Sequence, residues 1–222
     1  MGKNLIIEKT SNEEGRYGEV IAKLFYDNYI ELGGTNEKYA NIHLNDTTKD
    51  ANYQKIDCDF HDKERNILVE VKHDTWIAGK KDNYPKGTGN MPYEFATHVP
   101  DHVISSIKEQ LPSDDFLDNV LSTFPDLRKK YLGCNEKCEA DHLFLVGGEE
   151  ESSENRKYRL KKIWIVENKK LKTYVHNVLV HSTIARGDEW FRFTYQPEDK
   201  AYNAMVIIPI EKLIKKKFII TF

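Results

Sequence analysis

Cysteine is scarce in this chain of 222 residues: there are three, an odd number. That argues against a disulfide framework and points to a reducing compartment. Apolar runs of the roughly 20 residues needed to cross a bilayer are missing, so no membrane association is expected. The first seven residues hold one lysine and no apolar stretch of signal-peptide length. Ile6 stands where a myristoylation motif asks for Ser or Thr. The expected location is therefore cytoplasmic. An excess of positive charge is also lacking: 33 Lys and Arg face 36 Asp and Glu, a formal net charge of −3. The bulk signature of a nucleic-acid binder is absent, yet an acidic enzyme can still line one groove with lysines. Finally, the chain has no P-loop, no Gly-x-Gly-x-x-Gly after a strand and no Gly-x-Ser-x-Gly, the motifs of nucleotide binding and serine-hydrolase chemistry.

What is present is an ordinary globular composition, 39% hydrophobic and 31% charged. The length suits a single domain over 1–222, with room for an insertion. Val20, Ile21, Leu24, Phe25 and Tyr29 recur at helical spacing, so a helix is expected over 12–31, capped by Ser11 or Asn12 and ended by Gly33-Gly34. Residues 53–60 and 66–72 alternate apolar with polar and predict two strands of a hairpin. Residues 77–100 read as irregular, a functional loop or a broken strand, with interleaved lysines and tyrosines. Helices are expected over 102–111 and 114–132, a buried strand over 141–147, a charged loop over 149–159 and a strand over 161–166. Beyond these come a helix over 170–184, a strand over 204–210 and a short basic helix over 211–217. The order predicts a mixed α/β (α+β) domain and not a doubly wound sheet.

The chemistry concentrates in Lys55-Ile56-Asp57-Cys58-Asp59-Phe60 and Leu68-Val69-Glu70-Val71-Lys72. Alternation puts Glu70 and Lys72 on one face, away from Val69 and Val71. If the strands pair, Asp57 stands beside Glu70, with Asp59 as a rival on the same face. Mg²⁺ (or Mn²⁺) favours such hard oxygen ligands; Asp57, Glu70 and the Val71 carbonyl could hold one ion. Lys72 could orient or deprotonate a water and neutralise developing charge. Taken alone, Glu-x-Lys on a strand is more often a solvated face with an ion pair. Here, however, the carboxylate and the Glu-x-Lys lie on consecutive strands flanked by apolar residues. Lys80 and Lys86 could touch phosphate, and Tyr84 and Tyr93 could stack on bases. Cys134-x3-Cys138-x3-His142, with Cys58 and His61, admits a zinc reading at loose spacing.

Ile56-Asp57 followed about a dozen residues on by Val69-Glu70-Val71-Lys72 resembles the PD-(D/E)XK nuclease superfamily, with its restriction-endonuclease-like fold. Three further segments resemble a phage and bacterial branch of it: Asn52-Tyr53-Gln54-Lys55-Ile56-Asp57, Thr88-Gly89-Asn90-Met91-Pro92-Tyr93-Glu94, and Ala140-Asp141-His142-Leu143-Phe144. Ile56 replaces the proline of the family name, and 101–139 is longer than the pattern calls for, which implies a helical insertion there. The resemblance implies a mixed central sheet flanked by helices. It makes Asp57 and Glu70 metal ligands, Lys72 the catalytic lysine, Glu19 an acidic residue of the first helix acting at the site, and Asn90 and Glu94 accessory. The expected function is Mg²⁺-dependent hydrolysis of DNA, with a homodimer as one arrangement. The alternatives are a non-catalytic nucleic-acid or protein binding module and a zinc-stabilised interaction domain.

Overall fold

Val69 and Val71 alternate with Glu70 and Lys72, and the strand they predict forms over Ile67–His73. The computed structural model describes residues 6–8, 17–30, 42–47, 49–73, 89–109, 125–152, 157–180 and 190–220. The chain divides into two compact units. One comprises Met1–Gly89, Glu139–Asn168 and Ile214–Phe222; the other comprises Asn90–Cys138 and Lys169–Leu213. The architecture is mixed α/β, with one mixed sheet and one antiparallel sheet. No helix among the described residues is long and apolar enough to cross a membrane.

The first unit is built on a seven-stranded sheet: β1 (Ile6–Glu8), β2 (Asn45–Asp46), β3 (Phe60–Asp62), β4 (Ile67–His73), β6 (His142–Ser152), β7 (Lys157–Glu167) and β10 (Ile219–Ile220). The order is β1-β7-β6-β4-β3-β2, with β10 also pairing β7. β3 and β4 form the expected hairpin, while β4 and β6 run parallel, with Glu70 opposite Leu143. A parallel pair needs a long crossover, which the chain between His73 and His142 supplies. His142 to Val146 are all buried, as suits an inner strand covered on both faces.

Helix α1 (Tyr17–Asp27) lies on β4 and β6. Its Ile21, Ala22, Phe25 and Tyr26 pack with Phe60, Val69, Phe144, Val146 and Ile165 into the core of this unit. Phe25 and Tyr26 meet the Phe144 ring at centroid distances of 5.4 and 5.6 Å. At about 25 cal/mol per Å², burying such side chains is worth roughly 1.5–3 kcal/mol each. Because β4 alternates, packing Val69 against α1 sends Glu70 and Lys72 to the opposite face.

The second unit carries β5 (Asn90–Pro100), β8 (Trp190–Gln196) and β9 (Ala201–Pro209) in an antiparallel sheet of order β5-β9-β8. With it go α3 (Asp101–Glu109), a short helix over 125–130, α4 (Cys134–Lys137) and most of α5 (Asn168–Val180). The last helix, α6 (Ile210–Lys215), follows β9.

Several sequence expectations need correction. Residues 53–60 are not a strand: α2 (Ala51–Lys55) takes the first part, followed by a turn, and pairing starts only at Phe60. Asp50 caps α2 by accepting from the Asn52 amide at 2.9 Å, a local bond that outweighs the apolar alternation. Of the two readings of 77–100, functional loop or broken strand, the described part over 90–100 takes the second, a strand with interruptions. Met91, Tyr93 and Phe95 alternate into the core, and the two prolines are accommodated in a strand with two register shifts, His98 standing at φ 53°. Within the expected charged loop of 149–159, β6 and β7 continue to Ser152 and from Lys157, with Glu149 opposite Arg159 in the register. β8 matches no element expected from the sequence. Gly33-Gly34, 77–88, 110–124 and 181–184 lie outside the described residues.

Candidate active site

The site starts from the end of α2. Ile56 and Cys58 both donate their amides to the Tyr53 carbonyl, at 3.1 and 3.2 Å, and close the helix. Between them Asp57 takes a left-handed conformation, φ 52°. Asp and Asn tolerate this region better than most side chains, so the residue type suits the turn. The next residue but one engages the sheet: the Asp59 amide donates to the Val69 carbonyl at 3.1 Å, and the Thr47 amide donates to the Asp59 carbonyl at 2.8 Å. The Thr47 hydroxyl adds a 3.1 Å bond to the Cys58 carbonyl. Cys58 and Asp59 are thus held from two sides before β3 begins.

This geometry brings four charged side chains together. The Lys72 ammonium lies 3.1 Å from Asp57 Oδ2 and makes a close ion pair with Glu70 Oε1. Asp59 Oδ2 accepts the Val71 amide at 2.9 Å and so ties the turn to β4. Asp57 and Lys72 keep 29% of their side-chain surface exposed, but Glu70 keeps only 6%. Burial pushes the Glu70 carboxyl up to about 8; Lys72 opposes the shift, and Asp59 and Asp57 add to it. The Asp59 carboxyl is also raised, chiefly by burial, against the pull of the Val71 amide. Three carboxyl groups crowd one ammonium in a half-dry place, where burial favours the proton on Glu70 and a bound cation would favour the ionised form.

Between the rivals, Asp57 and Asp59, the structure distributes tasks. Asp57 pairs with Lys72 at the solvent side, while Asp59 has one oxygen committed to the backbone of β4. Their chemistry suits Mg²⁺: carboxylates and a carbonyl such as that of Val71 are hard oxygen donors. Among the described residues, no group of three or more His, Cys, Asp or Glu is arranged to hold a metal ion. In the acidic group it is Lys72 that spans Asp57 and Glu70.

The remaining expected residues fall elsewhere. Glu19 sits half-buried in the first turn of α1, on the helix that covers the Val69 side of β4. Its part in the site stays an implication of the resemblance. Asn90 and Glu94 belong to the second unit, at the start of β5. There the Glu94 carboxylate accepts from Asn203 Nδ2 at 2.8 Å. Tyr93 does not serve for base stacking: it is 0% exposed, and its hydroxyl donates to Glu136 at 2.8 Å. Lys80, Lys86 and Tyr84 lie outside the described residues.

Three side chains of the zinc reading, Cys58, His61 and His142, meet other partners. Cys58 Sγ donates to the carbonyls of Phe60 and Val69, and burial pushes its thiol up to about 11, away from the thiolate that zinc requires. His61 Nδ1 meets the Tyr53 hydroxyl at 2.7 Å, and His142 Nδ1 meets Tyr26 at 3.5 Å.

One polar cluster escapes a reading of the sequence. In the second unit the Glu136 side chain is only 1% exposed and binds Arg128 Nε at 2.7 Å, His176 Nε2 at 2.8 Å and the Tyr93 hydroxyl. Nothing in Cys134-Asn135-Glu136-Lys137 marks a buried carboxylate; its partners come from three other segments. No protein-family model, curated protein or solved structure matches the chain.

Proposed function

We propose that this chain is a Mg²⁺-dependent nuclease that hydrolyses DNA phosphodiester bonds. The observation that carries the reading is the meeting of Asp57, Glu70 and Lys72 on the α2–β4 segment, with Asp59 beside them. Asp57, Glu70 and the Val71 carbonyl would hold the ion. When bound, Mg²⁺ supplies charge neutralisation at a phosphoryl oxygen and a lowered pKa for a coordinated water. The chain's own groups do the rest. Asp59 fixes the Val71 peptide, and with it the spacing of Glu70 and Lys72. Lys72 is long enough to leave the carboxylates: its ammonium would neutralise charge on a phosphate oxygen and orient the attacking water, and as the free amine it could take that water's proton.

The test is DNA cleavage, on linear and circular, single- and double-stranded substrates, with Mg²⁺, Mn²⁺ or chelator. Asp57→Asn, Glu70→Gln and Lys72→Met should each lower cleavage by at least about a hundredfold, the usual loss on removing one positioned charged group. Circular dichroism should show the fold retained. Undiminished cleavage by any two folded variants refutes the assignment.

A further inference from the structure

In the acidic group the ammonium of Lys72 does not stand beside the carboxylates; it bridges them, contacting Asp57 Oδ2 at 3.1 Å and Glu70 Oε1 as well. The two carboxylates come from different elements, one from the turn after α2 and one from β4. Lys72 is therefore a charged link between that turn and β4, beside the bond from the Val71 amide to Asp59. The pair is sheltered, with Glu70 buried and both Lys72 and Asp57 largely covered, so solvent and salt screen it less than a surface pair.

We infer that Lys72 is a displaceable counter-ion latch: its ammonium bridges Asp57 and Glu70 and has to be expelled before a divalent cation can join the same two side chains. The inference rests on the reading of these residues as a Mg²⁺ site. It follows from charge and room. One ammonium and one metal ion cannot share the gap between two carboxylates, because like charges at contact repel strongly where water is scarce. The exchange also arms the site, since the cation that enters sets the lysine loose two residues from Glu70. Metal affinity is lowered by whatever the Lys72 contacts contribute, so deleting them should tighten metal binding even though it abolishes the lysine's part in hydrolysis.

The experiment is Mg²⁺ and Mn²⁺ titration by calorimetry, without nucleic acid, on the full chain and three variants. Lys72→Met removes the latch, and Lys72→Gln does so with a polar end in case the first folds poorly. Lys55→Met removes an equal charge from an exposed position two residues before Asp57. The expected result is binding about tenfold tighter in either Lys72 variant, equivalent to about 1.4 kcal/mol, with Lys55→Met unchanged. On the wild-type protein, the ¹⁵N resonance of the Lys72 ammonium should move as Mg²⁺ is added. Equal or weaker binding in the Lys72 variants, or an equal gain from Lys55→Met, overturns the latch while leaving the metal site standing. If no protein, wild type included, binds either metal, the nuclease reading falls and the latch with it.

Discussion

Glu70 shows, for a single residue, what the proposed site costs the fold. Its carboxyl is raised from 4.5 to about 8, mainly by burial. The folded chain thus holds the proton more tightly than the unfolded one. The stability this contributes is complete below about pH 4.5 and is lost as pH rises toward 8, a tenfold difference in proton affinity being worth about 1.4 kcal/mol. Glu70→Gln keeps the shape and removes the ionisation. In chelator it should melt higher than wild type at pH 8 and close to wild type at pH 4.5; a lower melting temperature at pH 8 contradicts the account. Asp57 carries the opposite lesson. At φ 52°, Ala bears a strain of about 1 kcal/mol that Asn largely avoids. Asp57→Asn is hence the clean test of chemistry, and Asp57→Ala should unfold at lower denaturant than Asp57→Asn. Cys58, buried with its thiol raised to about 11, should resist iodoacetamide at pH 8 in the folded protein and react in urea.

Among the elements, the α2–β3–β4 segment and the β5–α4 segment are assembled by different means. The first uses local devices to aim the backbone, a cap at Asp50, a left-handed turn at Asp57 and a short polar connector between β3 and β4, while contacts across the turn bring the charged groups together. It is legible in part because strand alternation alone puts Glu70 and Lys72 on one face. Residues 53–60 imitate a strand because Tyr53, Ile56, Cys58 and Phe60 are apolar at spacings that a helical turn and a strand both allow. The second segment depends on close backbone approach. A Cβ on Gly133 would lie 2.5 Å from the Glu94 carbonyl oxygen and 2.7 Å from the Ala96 amide nitrogen. Backbone cannot yield as a flexible side chain does, so Gly133→Ala should destabilise the protein by about 2–4 kcal/mol in urea unfolding. Tyr93→Phe, which takes one donor from buried Glu136, should cost about 1 kcal/mol by the same measurement.

For the molecule as a whole, the proposed metal site links ligand binding to stability. A ligand that binds only the folded chain stabilises it by about 2.7 kcal/mol at a hundred times Kd. For a chain of this length that corresponds to a rise in melting temperature of roughly 5–10 °C on adding saturating Mg²⁺. The rise should be absent in Asp57→Asn, and a wild-type melt indifferent to Mg²⁺ and Mn²⁺ argues against the site.

Periodicity in the chain was enough to establish the mixed α/β class, the helix that carries Phe25 and Tyr26, the buried strand from His142, and the shared face of Glu70 and Lys72. All of these are local, because the pattern that reveals them is the pattern that buries one face of a helix or strand. The remainder came from long-range packing: Lys72 bridging Asp57 and Glu70, Asp59 bonded to the β4 backbone, Tyr93 enclosed at Glu136, and the chain divided between two sheets. Those contacts, apart from the Glu70–Lys72 pair, join residues a dozen or more positions apart along the chain. Neither pattern nor propensity carries information about which distant segments meet.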